Sequence, residues 1–224
     1  MTDFLAAATA VIEGDLESLR AMVEEDGELV AARSMDHGAS LLHYVSANGP
    51  VEDDMQKTPA NAIEIARFLI ESGCEVDATI DGEPASTPLV ALVTSEFPAM
   101  AGLQKELTAL YLNSGAAVNG LKDDGYPLAC ALCFQYPDAI AALVEGGARI
   151  DNVLAASALG RLEFVKSCFD DDGRLTPESV AAYPEPFMRD FGPADVLETA
   201  IEHAAHYKQP DVIEFLASMK RDHK

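Results

Sequence analysis

The residue types able to do chemistry are few in this chain and loosely grouped. Its five histidines are His37, His43, His203, His206 and His223, and its four cysteines are Cys74, Cys130, Cys133 and Cys168. His203 and His206 have the spacing that brings two imidazoles to one helix face, as a metal ion would require. They lie, however, in a segment (Thr199 to Leu216) that reads as helix, turn and helix, where polar residues of the first helix face solvent without a task. Cys130 and Cys133 form a lone C-x-x-C inside the apolar run Leu128 to Phe134; no second pair stands at zinc-finger spacing, and the pattern predicts both thiols on one buried helix face. G-x-S-x-G, H-E-x-x-H, P-loop and G-x-G-x-x-G patterns are all missing. With no nucleophile set beside a base, the expectation is a protein that is not an enzyme, with no catalytic residues, no metal ligands and no cofactor.

Charge says more than any motif. The chain of 224 residues carries 38 acidic against 15 basic residues, a net charge of -23. Such a field repels nucleic acid and draws basic proteins toward it. It also opposes self-association, so a monomer is expected. Hydrophobic residues make up 49%, a globular composition, yet no apolar stretch approaches the ~18 residues of a membrane span. Phe4 to Ile12 is apolar like the middle of a signal peptide, but Asp3 precedes it and the first basic residue is Arg20. A positive flank is missing; the run reads as a first helix turning at Gly14-Asp15, and a cytoplasmic location is expected.

The elements that must position any site come in repeats. Related segments recur at spacings of roughly thirty to fifty residues, the mark of stacked helix-turn-helix units that cannot fold singly. About six units can be laid out, at approximately 2–36, 37–78, 79–120, 121–150, 151–175 and 195–219, with a polar tail at 220–224. Leu16, Leu19, Met22 and Val23 give the first unit's second helix its apolar stripe. Gly73 is expected to close a helix as a left-handed cap, Gly115 and Gly146-Gly147 to end the corresponding helices of the next two units, and Pro88 to open one at its first position. The second helix of units two, three and four is expected over Ala62 to Ser72, Leu107 to Asn113 and Ala139 to Glu145. Insertions interrupt two units, at 50–61 and 96–104, and an irregular proline-rich excursion fills 170–193, where Thr176-Pro177-Glu178 has the form of a helix start.

Six pieces fall into one register: Ser40-Leu41-Leu42-His43, Ser72 to Asp77, Thr87-Pro88-Leu89, Ser114 to Asn119, Gly147 to Asp151 and Thr199 to Leu216. Together they resemble the ankyrin repeat, T-P-L-H-x-A-A-x-x-G followed by a helix ending G-A-x-V-D/N, through most of the chain. More narrowly, Lys57 to Ala62 and Ser95 to Gln104 resemble insertions of a group of bacterial ankyrin-repeat proteins. The resemblance implies an all-α solenoid with short or missing β-fingers, whose fingers and inner helices form a concave face for protein recognition. It also makes His43 a structural histidine, bonded to the backbone of a finger and the neighbouring unit. Val90, Ala129 and Glu202 occupy the equivalent places, so the ladder of such bonds is incomplete and the stack is expected to be irregular.

The expected partner is a basic protein, with neither nucleic acid nor membrane involved. The residues expected to meet it are Asp36, His37, Asp77, Asp81, Glu83, Asp123 and Asp124 on the fingers, with Tyr44 and Tyr126 as aromatic anchors. Asp and Asn favour turns on their own account, but successive fingers would align these carboxylates along one edge, where a cation is wanted. The alternative is a hydrolase-like or ligand-binding protein using the two insertions as a pocket, since loops of that length often carry function.

Overall fold

The computed structural model describes residues 4–35, 37–46, 57–181 and 192–222. Asp36, most of the first insertion, His223 and the excursion's Tyr183, Phe187, Met188 and Phe191 lie outside them. The described residues are all-helical, without a strand; the only pairing of β type is an isolated bridge between Phe169 and Leu175. No helix among them is long and apolar enough to cross a membrane.

The helices come in antiparallel hairpins. They are α1 (Phe4–Glu13) with α2 (Leu16–Glu25), α3 (Leu41–Val45) with α4 (Ala62–Glu71), and α5 (Pro88–Val93) with α7 (Gln104–Asn113), the short α6 (Glu96–Met100) lying between the last two. Then follow α8 (Tyr126–Phe134) with α9 (Pro137–Glu145), α10 (Val153–Ala158) with α11 (Leu162–Ser167), the isolated α12 (Pro177–Ala181), and α13 (Pro193–His206) with α14 (Pro210–Asp222). The first helix of each hairpin packs on the first helix of the next, giving the row α1, α3, α5, α8, α10, α13. A second row runs α4, α7, α9, and α11 lies against α14.

Local chemistry explains where these helices stop and start. Asp15 caps α2, its carboxylate accepting the Ser18 N–H at 3.0 Å. Thr87 and Asn152 cap α5 and α10 in the same way, with Pro88 in the first turn of α5. Gly73, Gly115 and Gly147 have φ of 101°, 99° and 92°, and the residue after each sends its N–H back to the preceding helix, Cys74 to Leu69, Ala116 to Tyr111 and Ala148 to Leu143. The left-handed cap expected at Gly73 is present, and Gly115 and Gly147 repeat it.

Other boundaries moved. The helix expected from Leu107 begins at Gln104, whose fully buried amide donates to the Leu92 and Ser95 carbonyls and ties the second insertion to the core. The helix expected from Ala139 begins at Pro137, a proline being well suited to a first turn. Lys220, placed in a tail, lies inside α14 and pairs with Glu198 at 3.4 Å. Thr176-Pro177-Glu178 does open a helix, α12.

The inner row is so enclosed that α3 and α10 are buried on every side, Leu41 to Val45 and Val153 to Ala158. Here lies His43, fully buried. Its Nδ1 accepts the Ser40 N–H at 3.1 Å, which fixes the proton on Nε2, and Nε2 donates to the Ser86 carbonyl of the next hairpin at 2.8 Å. Tyr111 is buried as well, its hydroxyl bonded to the Leu42 carbonyl and to Ser46 Oγ, both at 3.2 Å. Buried polar groups of this kind keep neighbouring hairpins in register, because each loses its partner if the stack slips.

Candidate functional site

The acidic residues singled out by sequence lie in the loops that join one hairpin to the next, and the structure shows how those loops are linked. Asp77 accepts the backbone N–H of Ala117 on the following loop, at 3.2 Å and 3.0 Å from its two oxygens. Asn119 accepts the N–H of Arg149 at 2.9 Å on the loop after that. Asp77 and Asn119 hold the same place in Gly73-Cys74-Glu75-Val76-Asp77 and Gly115-Ala116-Ala117-Val118-Asn119, as do their partners Ala117 and Arg149. One step earlier, Arg33 reaches Glu75 at 2.8 Å. Burial raises the Asp77 carboxyl above the usual carboxylate range, against the opposing pull of the Ala117 N–H.

Two of the remaining carboxylates are occupied too. Asp123 pairs with the Arg149 guanidinium at 2.6 Å, and Arg149 Nε bonds Asp151 at 3.0 Å while Nη2 donates to the Asp123 carbonyl. The Arg149 hydrogen bond holds Asp123 below its ordinary value. Asp124 accepts the Tyr126 N–H at 3.1 Å and so supports the start of α8. Of the carboxylates expected along one edge, Asp123 is thus neutralised by Arg149, and Asp77 and Asp124 accept backbone N–H groups.

Asp81 and Glu83 differ. Asp81 is the counterpart of Asp123 by position, and both are left-handed, with φ of 51° and 54°. The place filled by Arg149 opposite Asp123 is filled by Ala117 opposite Asp81, which offers no charge. Asp81 and Glu83 are exposed and ion-pair with none of the described residues. The loop holding them is stiffened by Ser86, whose hydroxyl accepts the Ile80 N–H at 2.8 Å and donates to the Glu83 carbonyl at 2.7 Å. It also approaches the preceding loop closely, since a Cβ on Gly38 would lie 3.3 Å from Asp81 Oδ1. His37 is exposed on that preceding loop, and Asp36 lies outside the described residues.

The two aromatic anchors part company. Tyr44 is only 5% exposed and packs edge-on against Phe4 with centroids 5.8 Å apart. It is a core residue, because α3 lies between α1 and α5 and has no free face. Tyr126 is half-buried at the edge of the loops, and burial pushes its phenol up to about 12. Beside it Pro84, Ala85, Leu121 and Lys122 enclose a crevice of only about 30 Å³, far below the ~300 Å³ at which small-molecule pockets begin.

The residues considered for chemistry are not gathered. Cys130 is buried, its thiol pushed up to about 12, whereas Cys133, a turn further along α8, is exposed; the expectation that both are buried is corrected. Burial likewise raises Cys74 to about 11, and a raised thiol pKa suppresses the thiolate that reactivity needs. His203 is half-buried and bonded to the Leu154 backbone, while His206 is exposed against the Tyr207 ring. Among the described residues no three His, Cys, Asp or Glu side chains are placed to share a metal ion. The described end of the first insertion docks on the first hairpin, through Asn61 to the Gly14 carbonyl and Lys57 to Glu13, each at 2.8 Å. The second insertion folds as α6. A larger cavity, about 530 Å³, lies elsewhere, between Phe169, Leu175, Leu197 and Lys220.

No family model and no curated protein matches the chain.

Proposed function

We propose that the chain is an ankyrin-type solenoid, a non-enzymatic binding module that holds a basic protein partner on the loop edge bearing Asp81 and Glu83. The fold reading is supported by recurrence at matched positions. Asp77 to Ala117 and Asn119 to Arg149 are one contact made twice, Gly73, Gly115 and Gly147 make one cap three times, and His43 joins its unit to the next through Ser86. Stacked units of this kind present a continuous outer surface.

The observation that carries the functional reading is the unequal treatment of Asp81 and Asp123. The chain neutralises Asp123 with its own Arg149, whereas the equivalent Asp81 has no cation partner among the described residues and stands next to Glu83 in a protein of net charge -23. A partner's Lys or Arg placed over Ala117 would occupy the site that Arg149 fills one unit later. His37, next to the Gly38 that approaches Asp81, and Tyr126, in one crevice with Pro84 and Ala85, would serve as further contacts. Attraction of this type speeds encounter and is screened by salt, so retention of a basic protein should fall as salt rises and should be lost in Asp81→Asn/Glu83→Lys. Retention unchanged in both respects would contradict the reading.

A further inference from the structure

We propose a second contact site at the opposite end of the hairpins, where Phe134, Tyr136 and Glu96 form a receptor for an arginine-bearing segment of the partner. The proposal rests on the reading of the chain as a binding module but is independent of the loop edge. Tyr126 and Phe134 stand at the two ends of α8, so about 12 Å of helix separates the sites.

Phe134 is 49% exposed, at the end of a helix whose residues 127–132 are buried. Its ring is stacked on Tyr136, with centroids 6.3 Å apart and planes 8° from parallel. Gln135 between them is left-handed, φ 61°, which brings both rings to the same side of the turn. The pair is therefore held, not merely exposed. Glu96, exposed at the start of α6, lies close enough for its charge to be felt at the Tyr136 phenol, and Asp138 is exposed just beyond.

An aromatic face beside a carboxylate has one natural complement, a planar cation that stacks on the ring while donating to the acid. Arginine suits this better than lysine, since its guanidinium is flat, weakly hydrated and forked. The chain uses the same chemistry on itself, with the Arg20 guanidinium 4.3 Å above the Phe68 ring. Phe134 and Tyr136 have no such cation among the described residues, and the overall charge of -23 brings cationic segments toward them.

The probe is a short fluorescein-labelled peptide alternating arginine and leucine, titrated by anisotropy against the full chain at low salt. Phe134→Ala and Phe134→Leu should each weaken binding about tenfold, as loss of a central aromatic contact does, and Glu96→Gln a few-fold. Asp81→Asn/Glu83→Lys should weaken it less than about threefold, through the long-range field alone. Thermal melts check that the variants fold, and Phe134→Leu carries the test if Phe134→Ala melts early. Absence of saturable binding to the wild type would overturn the proposal, as would wild-type affinity in Phe134→Leu, which would make the occupant merely apolar. If the loop-edge variant alone abolished binding, the second site would fall while the loop-edge reading stood. Salt-independent capture of a partner would remove the loop-edge reading without touching the peptide result.

Discussion

The Asp77 carboxylate accepts the backbone N–H of Ala117 across 40 residues of chain, at 3.0 Å. One hairpin later the acceptor is the neutral amide of Asn119. Since an amide oxygen does the same task, the acceptor matters at this position and the charge does not; burial in fact disfavours the charge on Asp77.

Asp77→Asn should therefore leave stability within about 0.5 kcal/mol of wild type, while Asp77→Ala, which strands the Ala117 N–H, should cost about 1 kcal/mol. Urea denaturation of the two variants checks this. Equal losses would mean that the charge contributes after all.

His43 predicts a pH dependence. Burial holds its imidazole below the ordinary 6.5, with the bond to Ser86 opposing the shift and Arg33 reinforcing it. The unfolded chain takes up the proton first as pH falls, so the stability due to neutral His43 is present above about 6.5 and is lost as pH drops through the folded value. His203 is shifted the same way by burial. The urea midpoint should fall between pH 7.5 and 5.5, and His43→Asn, though less stable at pH 7.5, should show a shallower fall. An unchanged slope in that variant would exclude His43 as a source.

The caps separate conformational cost from packing cost. Nothing lies within 4 Å of a Cβ built on Gly115, whose φ is 99°. Gly115→Ala should cost about 1 kcal/mol from the left-handed backbone alone. At Gly146 the added carbon would run into Leu112 Cδ1, so alanine there requires the Leu112 side chain to shift instead. Thermal melts of Gly115→Ala showing no loss would contradict the cap.

Tyr44 and Tyr126 were equivalent as sequence but are not as structure. Tyr44→Ala should destabilise by about 3 kcal/mol, the range for an aromatic removed from a core, whereas Tyr126→Ala should cost less and act on binding. Chemical denaturation and partner affinity, measured on both, distinguish the two roles.

What could be read ahead of the structure was what local chemistry encodes. The glycine cap at Gly73, Pro88 in a first turn and the helix start at Thr176-Pro177 depend on a few adjacent residues, and the structure has all three. His43 was legible through its motif. Less legible was anything decided by burial on more than one side: α3 is enclosed by two neighbours, which turned Tyr44 inward, and α8 presents Cys133 to solvent although its sequence is apolar throughout. Least legible were partners distant in sequence. Nothing near Asp123 signals that Arg149, 26 residues away, will neutralise it, and only that pairing sets it apart from Asp81, which ion-pairs with none of the described residues.

The most direct measurement is affinity capture from the source cell's lysate along a salt series, comparing the wild type with Asp81→Asn/Glu83→Lys and determining the isoelectric points of what is retained. Asparagine is chosen at position 81 because it tolerates the left-handed backbone there, so the variant alters charge and not the loop. The account predicts a basic protein held by the wild type at low salt, released as salt rises, and missing from the variant. A retained protein that is neutral or acidic, or one held equally by the variant at high salt, would contradict it.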